Sequence, residues 1–592
     1  MTSRISWLGV SLALLAVAGC GDNKNAEGPD GGGGSAYSVG GTISGLSASG
    51  LVLDNNHGDS LTVSSGATSF VFTTKLNAGE VYDVTVVTQP TGETCTVAQG
   101  TGTVNADVRS VNVTCVATQA VVNEWTWESG SDVFTDYGVN GVYGTKGTAA
   151  ATNVPGGRFH SASWRDSSGN LWLFGGYGKA SPGSDGGQLN DLWKYDVTTK
   201  QWTWVTGTDV TPASTAGGAA GSAGVYGTKG TAAAANTPGG REQLMTWVDA
   251  SGTVWLFGGE GIDGFGVTGE LNDLWKFKDG QWTWVNGADA VGPALVFPGP
   301  TGIYGTKGVA AATNVPGGRY GSYNWIDAQG NLWLFGGSGV DAAGFQGQNS
   351  LKYLNDLWKF SPTTGQWTWI AGIDTVTGQG AAGVYGTRGT ADAANYPGGR
   401  NAGATWMDAS GHVWLFGGLG IDSTGTFGFL NDLWMYTTTT NQWTWVSGDK
   451  TIVNQPGPGG TFGTKGTAAA DNTPGGRYAM ATWIDSNGNL WLLGGQGPDS
   501  EGGFGKLDDL WKFDPVTKQW TWMNGHNTVG QTGTQSGVYG TLGTMGPNNQ
   551  PGGRYGLATW TDGSNGLWLF GGLANDSTGN EGYANDLWKY TP

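Results

Sequence analysis

The tetrapeptide Pro-Gly-Gly-Arg recurs six times, ending at Arg158, Arg241, Arg319, Arg400, Arg477 and Arg554. Successive copies lie 83, 78, 81, 77 and 77 residues apart, and self-similarity at a near-constant period marks an array of one structural unit. Behind each of the first five arginines four strand-like runs follow in fixed order, and behind the sixth the first three. In the first copy they are Ser161-Ala162-Ser163-Trp164, Leu171-Trp172-Leu173-Phe174-Gly175-Gly176, Asp191-Leu192-Trp193-Lys194-Tyr195 and Trp202-Thr203-Trp204. Four antiparallel strands per repeat describe a propeller blade. Composition points the same way. The 592 residues include 111 glycines, and an interior Gly costs a helix about 1 kcal/mol relative to Ala. The 31 tryptophans, with only 12% charged residues, exclude a disordered chain. The expected fold class is all-β.

Chain order predicts how the array closes. Trp-Thr-Trp first appears at Trp125-Thr126-Trp127, ahead of any Pro-Gly-Gly-Arg, and last at Trp520-Thr521-Trp522. The C-terminal run Asp586-Leu587-Trp588-Lys589-Tyr590 is a third strand with no fourth behind it. The 125–127 segment is therefore expected to complete the final blade, which makes residues 121–592 a closed ring of six. Five tryptophans per repeat account for every Trp except Trp7. Packing worth about 3 kcal/mol for each buried ring explains them better than sugar binding does.

The paired glycines after the second run and the later Trp resemble the kelch repeat, as found in kelch and galactose-oxidase-like propellers. The resemblance covers nearly all of residues 121–592, with extra residues between blades as the departure, and it implies a six-bladed kelch-type β-propeller. The copper site of galactose oxidase needs His, Tyr and a Cys-linked Tyr. No Cys follows Cys115, and His160, His412 and His526 fall on separate elements, so that chemistry lacks its ligands. A resemblance to the six-bladed kelch sialate mutarotase implies instead an acid/base pair beside anion-binding arginines. Glu242 and His160 are the candidates, with a local ion pair and a packed His as the structural alternative.

Six arginines at equivalent positions must be paired or hold anions. Either they bind a carboxylate, phosphate or sulfate ligand, or they pair with Asp191, Asp273, Asp356, Asp432, Asp509 and Asp586. The inter-blade motif Gly-x-Tyr-Gly-Thr-Lys-Gly offers a ring of cations or a structural cover. Asp263, Asp341, Asp422, Asp499 and Asp576 recur in long loops and are candidate calcium ligands; no other cofactor is expected. The long second-to-third-strand and inter-blade loops share one face, where binding is expected to concentrate.

Ahead of the array, Arg4 and the apolar run to Ala18 read as a secretory signal, residues 1–19. Val17-Ala18-Gly19-Cys20 resembles the lipobox of bacterial lipoproteins, which implies lipidation of Cys20 and an extracytoplasmic address at the outer membrane. Residues 20–36, with Gly31-Gly32-Gly33-Gly34-Ser35, form a tether. Residues 37–118 carry about seven short β-branched runs, the pattern of an immunoglobulin-like β-sandwich. The two remaining cysteines, Cys95 and Cys115, are expected to form a disulfide. A net charge of −18 without a basic stripe argues against nucleic acid. The expectation is a lipid-anchored binding or scaffold protein of the cell envelope, its partner an envelope protein or glycan, with the mutarotase-like enzyme as the alternative.

Overall fold

The computed structural model describes residues 35–90, 92–117, 123–135, 137–183, 186–212, 220–292, 299–344, 352–530 and 533–592. The expected signal, Cys20 and residues 20–34 of the tether lie outside the described residues. The chain divides into two compact units, Met1–Val121 and Val122–Pro592. Every regular element among the described residues is a β-strand.

Among the described residues the first unit holds ten strands between Ala36 and Ala117, more than the sequence suggests because several are only two or three residues long. One four-stranded sheet orders Ser69–Val71, Val39–Ser44, Val108–Ala117 and Glu93–Ala98; the other orders Asp59–Thr62, Val52–Asn55, Val81–Thr88 and Thr101–Thr103. Val39–Ser44 and Val108–Ala117 pair in parallel, and the other pairings are antiparallel. A single apolar cluster including Val39, Leu53, Phe70, Val84 and Val113 draws on both sheets. Cys95 and Cys115 stand directly opposite each other on neighbouring strands and are joined by a disulfide.

In the second unit each repeat forms an antiparallel sheet ordered as its strands run in sequence. The first repeat orders Ala162–Arg165, Leu171–Phe174, Leu192–Asp196 and Gln201–Thr206. In the second, third and fourth repeats the second and third strands run on past the paired glycines, as in Val254–Ile262 and Thr268–Lys278. The short strand that begins at the repeat arginine, such as Arg241–Glu242, pairs with that extension. In the last repeat Glu124–Ser129 pairs antiparallel with Leu587–Thr591 and so completes the sheet from the other end of the unit. The first strands of successive repeats are neighbours, and the sixth, Ala558–Thr561, lies beside the first, Ala162–Arg165.

Local chemistry explains these elements. Each first hairpin turns on a residue at positive φ, from Gly169 (89°) to Asn565 (65°) in the sixth repeat, the region that Gly and then Asn occupy at least cost. The preceding aspartate fixes the turn: Asp166 Oδ1 accepts the amides of Ser168 and Asn170, and Oδ2 accepts the indole N–H of Trp172. The paired glycines form the joint between repeats. Gly176 N–H donates to the Arg241 carbonyl of the next repeat, and a Cβ on Gly175 would stand 2.8 Å from that same carbonyl.

Candidate functional site

All six repeat arginines are turned inward and buried. Arg158 donates to both carboxylate oxygens of Asp191 (2.6 and 2.8 Å) and to the Gly156 and Gly175 carbonyls. The pattern recurs at Arg241–Asp273, Arg319–Asp356, Arg400–Asp432, Arg477–Asp509 and Arg554–Asp586, with 0–1% side-chain exposure throughout. Asp191 also accepts the Tyr143 hydroxyl and the Trp193 indole N–H. Burial alone would depress the Arg158 guanidinium, but the Asp191 carboxylate outweighs it and holds the pKa above its ordinary value. The guanidiniums are therefore engaged inside each repeat rather than at an open surface.

The inter-repeat motif is a cover. Its tyrosine supplies the hydroxyl just described, and its lysine lies over an outer-strand Trp. Lys146 Nζ sits 4.2 Å from the Trp204 ring centre and donates to the Gly207 carbonyl. Arg388 takes the lysine's place over Trp445.

Two residues past each arginine the chain enters the left-handed region: His160, Gln243, Gly321, Ala402, Ala479 and Gly556 have φ between 50° and 71°. Their backbones form a collar. His160 N–H donates to the Gly556 carbonyl (2.6 Å), Gln243 to His160 (3.1 Å), Gly321 to Gln243 (2.8 Å), Ala402 to Gly321 (2.7 Å), Ala479 to Ala402 (2.6 Å) and Gly556 to Ala479 (2.7 Å). This closed cycle of six amide–carbonyl links joins one residue from every repeat. With the residues that follow, including Ser161, Leu244 and Met480, the collar lines a cavity of about 140 Å³.

The residue just before each collar position begins a row that crosses three short strands. The rows read Phe159-Tyr177-Gln188, Glu242-Glu260-Glu270, Tyr320-Ser338-Tyr353, Asn401-Leu419-Phe429, Tyr478-Gln496-Lys506 and Tyr555-Leu573-Tyr583. Side chains from different rows meet. Phe159 stacks on Tyr583 (5.6 Å) and meets Tyr555 edge-on, Tyr555 packs on Tyr478, and Tyr478 packs on Phe429. These half-buried rings form an aromatic arc from the first repeat through the sixth and fifth to the fourth. The Glu242 charge reaches Tyr177, Tyr478 and Tyr583, adding to burial in raising each phenol. Side chains of different rows thus come within reach of one another beside the collar.

Glu242 and His160 are brought together there: His160 Nδ1 lies 2.9 Å from Glu242 Oε2. Sequence reasoning singled out this pair and missed Glu260 and Glu270, which stand beside Glu242 only through antiparallel pairing. Burial and then Glu242 push the Glu260 carboxyl up to about 7. Burial raises Glu270 to about 8, with a smaller contribution from Glu260. A signal for the first of them exists in the repeats, because the residue 19 after each arginine always pairs with the residue directly after it.

The five loop aspartates hold their loops. Asp422 Oδ1 accepts the amides of Thr424 and Thr426, and Oδ2 accepts that of Ile452. Asp263, Asp499 and Asp576 repeat the arrangement, and Asp341 adds Lys352 Nζ at 2.9 Å. Among the described residues no three His, Cys, Asp or Glu side chains are grouped as a metal ion requires. No protein-family model matches the chain, and no curated protein matches it.

Proposed function

We propose that this chain is a lipid-anchored binding protein of the bacterial cell envelope, with residues 121–592 a six-bladed kelch-type β-propeller and residues 37–118 an immunoglobulin-like spacer. The ligand is a carbohydrate, held in a recess that these rows enclose beside the collar. One observation carries this reading: the packing positions recur in all six repeats, whereas the six rows around the recess differ from one another. An array that needed the rows only for folding would repeat them as it repeats the Arg–Asp pairs. Aromatic rings fit the apolar faces of a sugar, and Gln, Asn, Ser and Glu supply its hydrogen-bond partners. Specificity then rests on the row residues, because the repeat arginines are engaged within the fold.

The test is calorimetric titration of the full chain in detergent with a panel of neutral and charged oligosaccharides. Saturable binding that disappears in the Tyr478→Ala/Tyr555→Ala double variant is expected; a panel that never binds, or binding to an envelope protein elsewhere on the surface, overturns the carbohydrate reading. The His160–Glu242 contact favours one alternative, a mutarotase-like isomerase. Sugar turnover that falls in Glu242→Gln would establish it.

A further inference from the structure

The second repeat differs from the other five in placing three carboxyl groups side by side. Glu242 stands opposite Glu260, and Glu260 opposite Glu270, on three adjacent strands. Directly opposed residues share one face of a sheet, with Cβ atoms about 4.5–5.5 Å apart, and like charges there are destabilising. The fold does not demand this arrangement, since no other repeat carries an acid in its row. Among the described residues neither Glu260 nor Glu270 has a Lys or Arg partner in an ion pair.

Independent of the acids, two buried polar atoms beside the row lack partners. Gln188 is 1% exposed; its Nε2 donates to the Glu260 carbonyl (3.2 Å), and its Oε1 has no donor. His160, with a side chain 8% exposed, uses Nδ1 on Glu242 and leaves Nε2 unpaired. Glu270 is fully buried with both carboxyl oxygens unpaired. Buried polar groups are nearly always satisfied, so the unpaired oxygens of Gln188 and Glu270, both next to Glu260, mark a missing partner. The cluster is dominated by acceptors and calls for a compact donor with several hydrogens. Among the described residues these carboxyls are not grouped as a metal ion requires. Tyr177 and Tyr320 stand close enough for these charges to act on their phenols, and aromatic faces add attraction for an organic cation.

We infer that the Glu242–Glu260–Glu270 row, with Gln188, is a subsite for a primary ammonium group, so that the ligand of the recess is an amino sugar. This rests on the recess being the sugar site. The ammonium donates to carboxyl oxygens of the row and to Gln188 Oε1, while its sugar ring lies toward the aromatic arc.

Calorimetry on the full chain with two probes tests it: a chitosan tetramer carrying free amines and the fully acetylated chitin tetramer. The amine form is expected to bind about tenfold tighter, the effect of charge-assisted hydrogen bonds. That preference should vanish in Glu260→Gln/Glu270→Gln, with thermal melting confirming a folded variant. Equal binding of both probes, or a preference that survives the double substitution, overturns the subsite while leaving the recess as a sugar site. Failure of both tetramers, when another oligosaccharide binds, also overturns it. If no oligosaccharide binds at all, the carbohydrate reading falls with it. Should the double variant not fold, Glu260→Gln alone serves, with the same outcomes.

Discussion

At the scale of single residues, the Arg–Asp pairs carry the highest stakes. Removing one partner of a buried pair leaves an uncompensated charge, which costs about 3–5 kcal/mol. Asp356→Asn is therefore expected to destabilise the second unit by that amount in denaturant unfolding. By contrast, Lys200→Ala, which breaks the partly exposed pair with Glu128, should stay within about 1 kcal/mol. The collar offers a test of opposite sign. Ala402 and Ala479 sit at φ of 50° and 54°, where an L-residue pays roughly 1 kcal/mol that Gly does not. Ala402→Gly and Ala479→Gly are expected to leave the melting temperature unchanged or raise it, whereas Ala404→Gly, in a first strand, should lower it. A fall at the collar positions equal to that at Ala404 would refute the strain argument.

At the scale of strands and sheets, the sequence made the parts with a local cause legible. The hairpin glycines, the paired glycines and the Trp-rich fourth strands announce themselves because each meets a requirement within a few residues. The Cys95–Cys115 pairing also emerged, from counting cysteines; alkylation without reduction should leave both thiols unlabelled, and labelling would refute the bond. The collar was not legible, because only Gly321 and Gly556 of its six members are glycines and His160, Gln243, Ala402 and Ala479 hide the backbone demand. The arginines were legible as a set and their pairing with six downstream aspartates as one of two readings; the choice between the two needed the burial that only the fold supplies. The glutamate row stayed hidden because its members meet only across strand pairing. That row predicts a pH dependence. Glu260 and Glu270 hold protons more tightly in the folded state, near 7 and 8, than at the ordinary value of 4.5. The folded state then binds more protons between those limits, so stability falls as pH rises through 7 and 8 and is greatest below 4.5 as far as these groups decide it. Melting temperatures from pH 5 to 9 should decline for the parent chain and decline less for Glu270→Gln; parallel curves would contradict the assignment.

At the scale of the whole second unit, closure depends on a pairing across more than 400 residues. Trp125 is buried beside Trp588 and Tyr590 as Trp202 is buried beside Trp193 and Tyr195. Removing a buried Trp costs about 3–5 kcal/mol. Trp125→Ala and Trp202→Ala are expected to cost the same within about 1 kcal/mol by chemical denaturation, although one tryptophan lies at the seam and the other inside a contiguous repeat. A much smaller loss at Trp125 would mean that the seam is loose. The seam also has a mechanical meaning. Glu124 lies opposite Thr591 and Ser129 opposite Leu587, so the start of one strand and the finish of the other stand at the same end of the pair. Tension drawn between them parts the ladder one rung at a time, like a zip opened from its end, instead of loading every rung at once.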